Sequence, residues 1–267
     1  MCYSSKENSI FAALEIVVST YRMKILHLSD THGHHRELEA LPLADVVVHS
    51  GDITYHGTYD EVIDFVDWFS RLPFEYKVFI AGNHDFALAG EKGNGIDVCE
   101  RINALLPEHT YYLCHSGVTI QGIHFYGVPM FRATIDDTSY EKFYPAIPHN
   151  TDVLVTHQPP MGILDGGEYQ GKPHHYGNSL LLERVRVVSP KLHLFGHDHN
   201  VFGTTIADGI CFSNGALTGH GCELIRSPKV IELNFTPYYN TWKGETGLSL
   251  RSIRSNHNIL LDYAVNV

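Results

Sequence analysis

The stretch Val78-Phe79-Ile80-Ala81-Gly82-Asn83-His84-Asp85 joins a short apolar run directly to a cluster of polar side chains. Short apolar runs bounded by glycine and aspartate are typical of buried strands. Because the loops that follow parallel strands gather at one edge of a sheet, where ligands bind, several such strand ends predict a single site. Four further runs end in this way: residues 24–29 before Asp30-Thr31-His32, residues 46–50 before Gly51-Asp52, residues 153–156 before His157, and residues 192–195 before Gly196-His197-Asp198-His199.

The bulk composition favours one large α/β domain and limits its partners. The chain has 267 residues, of which 43% are hydrophobic, enough for a sizeable core. The formal net charge of −11 argues against a broad nucleic-acid surface or a membrane surface, because both are negatively charged. It leaves room for a small phosphorylated substrate such as a nucleotide, since bound divalent cations reverse the potential locally.

The cysteines indicate a reducing compartment. They are odd in number, and no pair has the spacing of a metal motif; they are Cys2, Cys99, Cys114, Cys211 and Cys222. A chain of this kind is typical of a reducing environment, so we expect a cytoplasmic location.

The two ends of the sequence differ from the rest in pattern. The apolar segment 10–18 is interrupted by Glu15 and is too short to span a bilayer, and no basic region frames it as a signal peptide. Met23 directly precedes the first strand, so we predict an N-terminal extension over residues 1–22 and a folded domain over residues 23–237. Residues 238–267 are polar and weakly patterned, which indicates a C-terminal tail.

The order of apolar patterns predicts two sheets packed face to face between layers of helices. Thr58 and Glu61 have the spacing of a capping box ahead of an apolar stripe. Residues 111–113, 118–120 and 124–126 are separated by glycine or serine, which indicates antiparallel strands. The fold class is therefore α/β, a four-layer α-β-β-α sandwich with two mixed β-sheets. The other predicted strands are 24–29, 45–50, 76–81, 153–156, 191–195, 201–206, 210–213 and 230–235, and the other predicted helices are near 34–41, 96–106 and 179–188.

The polar side chains at the strand ends are of the types that hold divalent cations. Asp30 and His32 are two positions apart, so both can face one ion from an extended segment. The Asp52 carboxylate follows a glycine and could bridge two ions. The set mixes carboxylate, amide and imidazole without thiolate, which favours Mn or Fe, with Zn as an alternative, over a structural Zn site. The candidate metal ligands are Asp30, His32, Asp52, Asn83, His157, His197 and His199.

Two neighbouring ions would give this site the chemistry of phosphoester hydrolysis. They can activate a shared hydroxide, hold phosphate oxygens and offset charge on the attacking and leaving sides. His84 follows the candidate ligand Asn83, so it can reach the phosphate and stabilise the transition state or protonate the leaving oxygen. Asp85 would orient the His84 imidazole and raise its pKa.

The five polar blocks resemble, in order, those of calcineurin-like metallophosphoesterases over roughly residues 24–235. These blocks are Asp30-x-His32, Gly51-Asp52, Gly82-Asn83-His84-Asp85, Thr156-His157 and Gly196-His197-Asp198-His199. The resemblance implies the fold of that family, two divalent metals and a catalytic role for the residue at position 84. It also implies that the first metal takes Asp30, His32 and His199, that the second takes Asn83, His157 and His197, and that Asp52 bridges them.

A narrower resemblance is to the metallophosphoesterase-domain-containing subfamily. It is carried by residues 72–84, by Thr156-His157-Gln158-Pro159-Pro160 and by residues 190–196. Those relatives are similar to phosphodiesterases with nucleotide-binding sites. Some have glycine at the position of His197, which weakens the second metal site. Because His197 is present in this chain, both sites should fill.

Two long segments, residues 128–150 and 158–178, follow strands near the predicted site and could carry specificity. Their aromatic side chains could stack a base, or could equally pack the loops onto the body. Arg132 could meet a phosphate, and a helix beginning at Gly177-Asn178 would present its N-terminus to phosphate. The aromatic residues are Phe131, Tyr140, Phe143, Tyr144, Tyr169 and Tyr176. The candidate substrate-binding residues are Arg132, His174, His175, Gly177 and Asn178.

Some further polar residues have two interpretations. His27, His49 and His193 lie inside apolar runs and are expected to be core residues, although they could support a neighbouring ligand. His35 could contact substrate or start a helix. Asn214 could approach the site or form a simple turn, and the turn is favoured.

Three functional classes fit the motifs. The preferred one is a phosphodiesterase that acts on a small substrate such as a cyclic nucleotide by metal-activated hydroxide attack. The second is a phosphomonoesterase, including a protein phosphatase, because the same core serves both and only the rim loops can decide. The third is a non-catalytic nucleotide-binding scaffold, which loss of a ligand or of His84 would favour; neither is lost.

Overall fold

The computed structural model describes residues 21–235, except residues 133, 135, 136, 170 and 171. Residues 23–232 form one compact unit, and the remaining described residues fall in a second unit that otherwise lies outside the described ranges. The predicted tail over 238–267 and the predicted extension over 1–22, apart from its last two residues, are likewise outside them.

Strands alternate with helices in the first part of the chain, and runs of consecutive strands follow from β4 onward. The strands are β1 Tyr21–Leu28, β2 Val46–His49, β3 Tyr76–Phe79, β4 Thr110–Tyr112, β5 Ser116–Ile120, β6 Ile123–Val128, β7 Val153–Thr156, β8 Gly166–Tyr169, β9 Lys172–His175, β10 Leu192–Phe195, β11 Gly203–Ala207, β12 Ile210–Asn214 and β13 Lys229–Phe235. The α-helices are α1 Tyr59–Ser70, α2 Ile96–Asn103 and α3 Ser179–Val188, and 3₁₀ helices cover His34–Glu37, Phe86–Leu88 and Ser139–Ala146. Among the described residues, none of these helices has the length and apolar character needed to cross a bilayer.

The first sheet has the strand order β13-β1-β2-β3-β4. Strands β1 to β4 run parallel, with Ile25 opposite Val46 and Val78 opposite Tyr111. Strand β2 is buried along its whole length, as expected for a parallel strand that is covered on both faces. The carboxyl ends of β1, β2 and β3 therefore meet at one edge of the sheet.

The second sheet has the strand order β11-β12-β10-β7-β6-β5. Its central strands β12, β10, β7 and β6 pair in parallel, and the hairpins β5–β6 and β11–β12 add antiparallel edges. Strands β7 and β10 lie side by side at the centre. The loops that begin at His157 and at Gly196 therefore leave the sheet from the same edge.

Helices cover the outer face of each sheet. Helix α1 begins at the predicted capping box, in which Glu61 N donates to Thr58 Oγ1 over 3.3 Å and Thr58 N donates to Glu61 Oε2 over 3.0 Å. Its residues Val62, Phe65 and Phe69 are buried in the apolar cluster on the first sheet. Helix α3 packs in the same way on the second sheet. Burial of these apolar faces holds the layers together.

Buried contacts join the two sheets near their carboxyl edges. His27 of β1 contacts Ser213 of β12 (Nδ1–Oγ 2.8 Å) and Ser50 (Nε2–Oγ 3.0 Å). Just beyond the strands, Ser29 forms a parallel bridge with Ala216. The strand ends of both sheets therefore come together at one place. The predicted α/β fold of two sheets with flanking helices is confirmed.

Three local predictions differ from the structure. Residues 111–113 are predicted to pair in an antiparallel set, whereas β4 pairs in parallel with β3, and Asn103 of α2 binds the backbone of Tyr112 on its free side (Oδ1–N 3.0 Å). The predicted helix over residues 34–41 is only a 3₁₀ turn, because the preceding chain turns to bring polar residues to the site. The segment 158–178 contains the hairpin β8–β9.

Candidate metal centre and catalytic site

Two glycines let the strand-end loops touch carboxylates supplied by other strands. A Cβ atom at Gly82, after β3, would overlap Oδ1 of Asp52, which follows β2. A Cβ atom at Gly196, after β10, would overlap Oδ2 of Asp30, which follows β1 in the other sheet. Only glycine permits these approaches. The two sheets therefore contribute side chains to one buried polar cluster.

One half of the cluster consists of Asp30, His32 and His199. The Nε2 atom of His199 lies 3.2 Å from Oδ1 of Asp30 and 3.3 Å from Nε2 of His32. The three ligand atoms lie within 4.8 Å of one another, as they would around a single cation. The predicted grouping of these three residues is thus reproduced in space.

The other half is built around Asp52 and His157. The Nε2 atom of His157 lies 3.3 Å from Oδ2 of Asp52 and 3.1 Å from Oδ1 of Asn83. The same Asp52 oxygen lies 3.7 Å from Nε2 of His32, which belongs to the first half. Asp52 therefore contacts residues of both halves, and a carboxylate oxygen of Asp30 likewise lies within 4.8 Å of ligand atoms of Asp52 and His157.

The imidazoles are oriented so that their Nε2 atoms face inward. The Nδ1 atoms of His32, His157 and His199 lie 3.3, 2.9 and 2.8 Å from the backbone carbonyl oxygens of Thr54, Ser50 and Gly219. Because a carbonyl only accepts hydrogen bonds, each Nδ1 must donate, which leaves each Nε2 as the atom that faces the cluster and can take either a proton or a metal. Carboxylate, amide and imidazole donors arranged in this way fit divalent cations.

The carboxylates of the cluster stabilise positive charge next to them. Burial by itself would lower the pKa of His157, but the Asp52 carboxylate, Asp30 and the Ser50 carbonyl together outweigh it and raise this pKa to about 9. Burial also opposes protonation of His199, whereas the hydrogen bond to Asp30 favours it. The pKa of His199 is likewise raised to about 9. Despite burial, contact with His199 holds the pKa of Asp30 well below its usual range. The carboxylates thus stay ionised and attract a proton or a metal to the facing Nε2 atoms.

His197 occupies the border of the second half. Its ring lies 5.2 Å from that of His157, and its backbone N–H donates to both Asp30 oxygens over 3.1 and 3.0 Å. Removal from water lowers its pKa to about 3, so the imidazole is neutral and available as a ligand. Its ring is outside the three ligand groups found within 4.8 Å among the described residues. Of the predicted histidine ligands, it is therefore the one held least closely to the others.

His84 lies beside the cluster and is half-buried. Its backbone N–H donates to Asp52 Oδ1 over 2.8 Å, and its ring centroid lies 4.7 Å from that of His32. The Nδ1 atom faces the carbonyl oxygen of Tyr55 at 3.1 Å. Since that contact requires a proton on Nδ1, the atom left to meet a substrate is Nε2.

The predicted role of Asp85 is not supported by its contacts. Its carboxylate is buried and accepts hydrogen bonds from Gly82 N at 2.7 Å, Thr54 N at 2.9 Å and Thr54 Oγ1 at 2.7 Å. The His84 imidazole is instead oriented by the Tyr55 carbonyl. Asp85 therefore fixes the two ligand-bearing loops to each other, because its acceptor sites are taken up by backbone and hydroxyl donors.

Among the substrate-binding candidates, Arg132 lies near the cluster. Its charge lowers the pKa of His197 after the larger effects of burial and of His157, and it also acts on Tyr140. Within the described residues its guanidinium makes no hydrogen bond or ion pair. In that part of the chain it is therefore a free cation at the rim of the site.

The other four candidates lie around the hairpin and the start of α3. His175 Nδ1 lies 3.0 Å from Asp165 Oδ1, and Gly177 N donates to Asp165 Oδ2 over 3.1 Å. Asn178 caps α3 by accepting from Leu181 N over 2.9 Å. His174 is exposed on β9. The predicted helix start is confirmed. The contacts of His175 and Gly177 are those of local structure, and Asn178 also donates from Nδ2 to Glu141 Oε1 of the other long segment.

Four of the aromatic residues of the long loops, Phe131, Tyr140, Phe143 and Tyr144, pack onto the body. Phe131, Tyr140 and Tyr144 are buried, and Phe143 stacks on His115 with ring centroids 3.5 Å apart. The structure thus follows the packing alternative for these residues. The 3₁₀ helix Ser139–Ala146 carries three of them onto the apolar cluster of the second sheet, and Phe131 lies in the apolar cluster of the first sheet.

The histidines inside the strands are core residues that position the loops. His49 Nε2 lies 2.9 Å from Thr31 Oγ1, and His193 Nε2 lies 2.9 Å from Thr156 Oγ1, so each contacts a residue next to a ligand. Burial lowers the pKa of His27, His49 and His193 to about 3, which keeps them neutral.

The contacts of His35 and Asn214 bear on two further expectations. His35 is buried against Phe65 and binds Asp64 of α1 (Nε2–Oδ2 3.0 Å), so it packs the first loop onto α1. Asn214 fits both alternatives, because its Oδ1 accepts from Ala216 N over 3.0 Å as in a turn, and its Nδ2 donates over 3.0 Å to the carbonyl oxygen of Asp198, between two candidate ligands.

Sequence reasoning missed Arg226 and Tyr55. The guanidinium of Arg226 donates to the carbonyl oxygens of Thr218 and His199 over 2.7 Å each, and so fixes the backbone next to a ligand. The sequence around Arg226 contains no motif that indicates this role. Tyr55 could have been noticed, because it lies three residues after Asp52 in a strand-end loop.

A comparison with protein families identifies the family of the chain. Residues 23–201 match the model for calcineurin-like phosphoesterases. The chain belongs to the calcineurin-like phosphoesterase family. It is accordingly a metal-dependent hydrolase of phosphoesters, and the ligand clusters supply the donors that such an enzyme requires.

Relatives of this phosphoesterase support the narrower resemblance. UPF0046 protein K07C11.7 of Caenorhabditis elegans is 32% identical over 226 residues, covering 78% of this chain and 74% of the relative. Human metallophosphoesterase domain-containing protein 1 is 33% identical over 233 residues, covering 77% of this chain and 69% of the relative. The crystal structure of TT1561 of Thermus thermophilus aligns with a TM-score of 0.53 at 12% identity, covering 80% of this chain and 94% of that chain, which shows a shared fold.

Proposed function

We propose that this phosphoesterase is a dinuclear phosphodiesterase that acts on a small diester such as a cyclic nucleotide. The observation that carries the proposal is the position of Asp52. Its Oδ2 atom lies 3.3 Å from His157 and 3.7 Å from His32, so one carboxylate reaches both ligand groups. A ring nitrogen of His84 also lies within 4.8 Å of ligand atoms of His32 and Asp52, so this imidazole reaches the space in which a metal-bound phosphate would lie.

The chain provides donors for two cations of the Mn or Fe type, with Zn as the alternative. Asp30, His32 and His199 would hold the first, and Asn83, His157 and His197 the second, with Asp52 shared. Bound divalent cations would acidify water and offset the charge of the phosphate oxygens. The absence of thiolate from this set supports the preference for Mn or Fe.

His84 is assigned to the leaving group. Its Nδ1–H is directed to the Tyr55 carbonyl at 3.1 Å, so a protonated imidazole presents Nε2–H to the substrate. Transfer of that proton to the leaving oxygen neutralises the alkoxide as the ester bond breaks. The backbone N–H of His84 binds Asp52, which fixes the distance between the acid and the ligand cluster.

The charge at the rim supports a diester. A diester carries one negative charge and a monoester about two, so the number of free cations near the site matters. Among the described residues Arg132 is such a cation, whereas the nearby Arg226 is already bound to backbone carbonyls. A free guanidinium beside the cluster matches a singly charged phosphate group.

The test is hydrolysis of bis(p-nitrophenyl) phosphate and p-nitrophenyl phosphate after metal removal and refilling with Mn. A higher kcat/KM on the diester is expected, and a panel of cyclic nucleotides would then define the substrate. A higher value on the monoester would replace the proposal by the phosphomonoesterase alternative. Refilling with Fe or Zn in parallel identifies the most active metal. If the protein refilled with Zn is the most active, the assignment of Mn or Fe is overturned.

A further inference from the structure

Two exposed aromatic rings lie near His84. Tyr55 is 46% exposed and Phe86 is 57% exposed. The ring centroid of Phe86 lies 6.5 Å from that of His84, and the centroid of Tyr55 lies 6.3 Å from that of His32, the ligand that packs edge-on against His84. Aromatic surface that remains open to water next to a polar site can still gain free energy by contact with a ligand.

The loops that carry these rings are fixed to each other. The Tyr55 carbonyl accepts from His84 Nδ1 at 3.1 Å, and Ala87 N donates to Gly57 O over 2.9 Å. The backbone N–H of Tyr55 donates to Glu61 Oε1 over 3.0 Å, which attaches this loop to the start of α1. The rings are therefore presented by ordered backbone, so that little conformational entropy is lost when a ligand is bound.

We propose that Tyr55 and Phe86 form the contact surface for an aromatic group on the leaving alcohol of the substrate, as in an aryl ester or a nucleoside. The proposal rests on the proposed role of His84 as the acid. Because that acid gives its proton to the leaving oxygen, the leaving group has to lie on the His84 side of the phosphate. The Phe86 ring lies 6.5 Å from the His84 ring, and the carbonyl oxygen of Tyr55 contacts His84 Nδ1 at 3.1 Å, so both rings belong to loops that adjoin this acid.

Aromatic recognition is then expected outside the long segments 128–150 and 158–178, where the sequence predicts it. Tyr140 and Tyr144 of the segment 128–150 are buried in the body and cannot reach a base without unpacking. Tyr55 and Phe86 instead lie in the loops that carry Asp52 and His84, three and two residues further along the chain. Recognition and chemistry thus share the same two rigid turns.

The test compares binding of phenylphosphonate and methylphosphonate to the Mn-loaded full chain by isothermal titration calorimetry. Neither ligand is hydrolysed, so the measurement does not depend on turnover. The wild type should bind phenylphosphonate more tightly. Tyr55→Ala and Phe86→Ala should each weaken phenylphosphonate about fivefold to tenfold while methylphosphonate stays unchanged. Tyr55→Phe, which keeps the ring, should retain the preference.

A matched control is Ile63→Ala, which removes an apolar side chain that is 65% exposed on α1. It should alter neither affinity. The proposal is overturned if the wild type shows no preference for the phenyl group, if both alanine variants keep the preference, or if they weaken both ligands equally. Failure of the proposed diester hydrolysis would appear separately, as a monoester preference with the phenyl selectivity still present.

Discussion

The strand-end ligand cluster and the rim loops of this phosphoesterase are built in opposite ways. The cluster uses residues from both sheets that are buried and fixed by backbone carbonyls, as His157 and His199 show. At the rim, Arg132 and Tyr55 extend from loops and have surface open to ligands. The comparison indicates that the core determines which bond is broken, whereas the rim determines which molecule is accepted.

The largest effect is expected from a change at Asp52, the residue that contacts both halves of the cluster. Asp52→Asn keeps the size of the side chain but removes the charge that faces His157 and His32. We expect loss of metal from both positions and a decrease in kcat/KM of about a thousandfold, since the metals account for several kcal/mol of transition-state stabilisation. Mass spectrometry of bound metal and diester hydrolysis measure the two effects. Asp60→Asn, at an exposed carboxylate, should leave both unchanged.

His84→Ala separates chemistry from metal binding. The imidazole lies next to the ligands but is assigned to the leaving group, so kcat should decrease about 10²- to 10⁴-fold while the metal content stays at the wild-type value. The decrease should be smaller for esters with a good leaving group, because these need less protonation. Full activity of the variant on a poor leaving group would show that the acid lies elsewhere.

Arg132→Ala tests the rim. Loss of a charge-assisted contact to the phosphate or its ester group should lower kcat/KM about tenfold, mainly through KM, with the metal content unchanged. Arg132→Lys keeps the charge and should restore part of the loss. If Arg132→Ala lowers the metal content instead, Arg132 supports the ligand cluster and does not belong to the rim.

Metal uptake should depend on pH. The carboxylates raise the pKa of His157 and His199 to about 9 in the metal-free protein, against the opposing effect of burial. Both Nε2 atoms therefore carry protons at neutral pH, and a cation must displace them. Apparent Mn affinity should rise with pH up to about 9, with proton release detectable by calorimetry in buffers of different ionisation enthalpy. An affinity that is constant from neutral pH up to that value would contradict this linkage.

The smallest effect is expected far from the site. Thr58→Ala removes the N-cap of α1, where Thr58 Oγ1 accepts from Glu61 N over 3.3 Å. The free energy of unfolding should decrease by about 1 kcal/mol, equivalent to a melting temperature lower by about 2–4 °C, with little effect on hydrolysis. Thr58→Ser keeps the cap and should behave like the wild type in thermal denaturation.

The sequence could predict the ligand cluster because local patterns determine it. An apolar run followed by Gly82-Asn83 or by Gly51-Asp52 indicates both the strand and its polar end, and parallel pairing then brings the ends together. The partner of a strand is a tertiary property, which is why the sequence pattern predicts the wrong orientation for β4. The aromatic residues of segment 128–150 were ambiguous for the same reason: nothing local shows whether Tyr140 faces the body or the solvent.

The role of Asp85 shows a second limit. Adjacency in sequence suggests contact with His84, but successive side chains in a turn point in different directions. The Asp85 carboxylate turns inward to Gly82 and Thr54, while the neighbouring imidazole turns to the Tyr55 carbonyl. Residue type predicted that position 85 would be important, and only the backbone path shows what it binds.

The most direct test of the shared-carboxylate centre is electron paramagnetic resonance of the metal-free protein refilled with two equivalents of Mn. If Asp52 joins the two ligand groups, the chain should bind two ions close enough to couple, about 4 Å apart, and the spectrum should be that of an interacting Mn pair. The Asp52→Asn variant should lose this signal. Binding of one ion per chain, or a six-line spectrum of isolated Mn at full occupancy, would contradict a dinuclear centre at these strand ends.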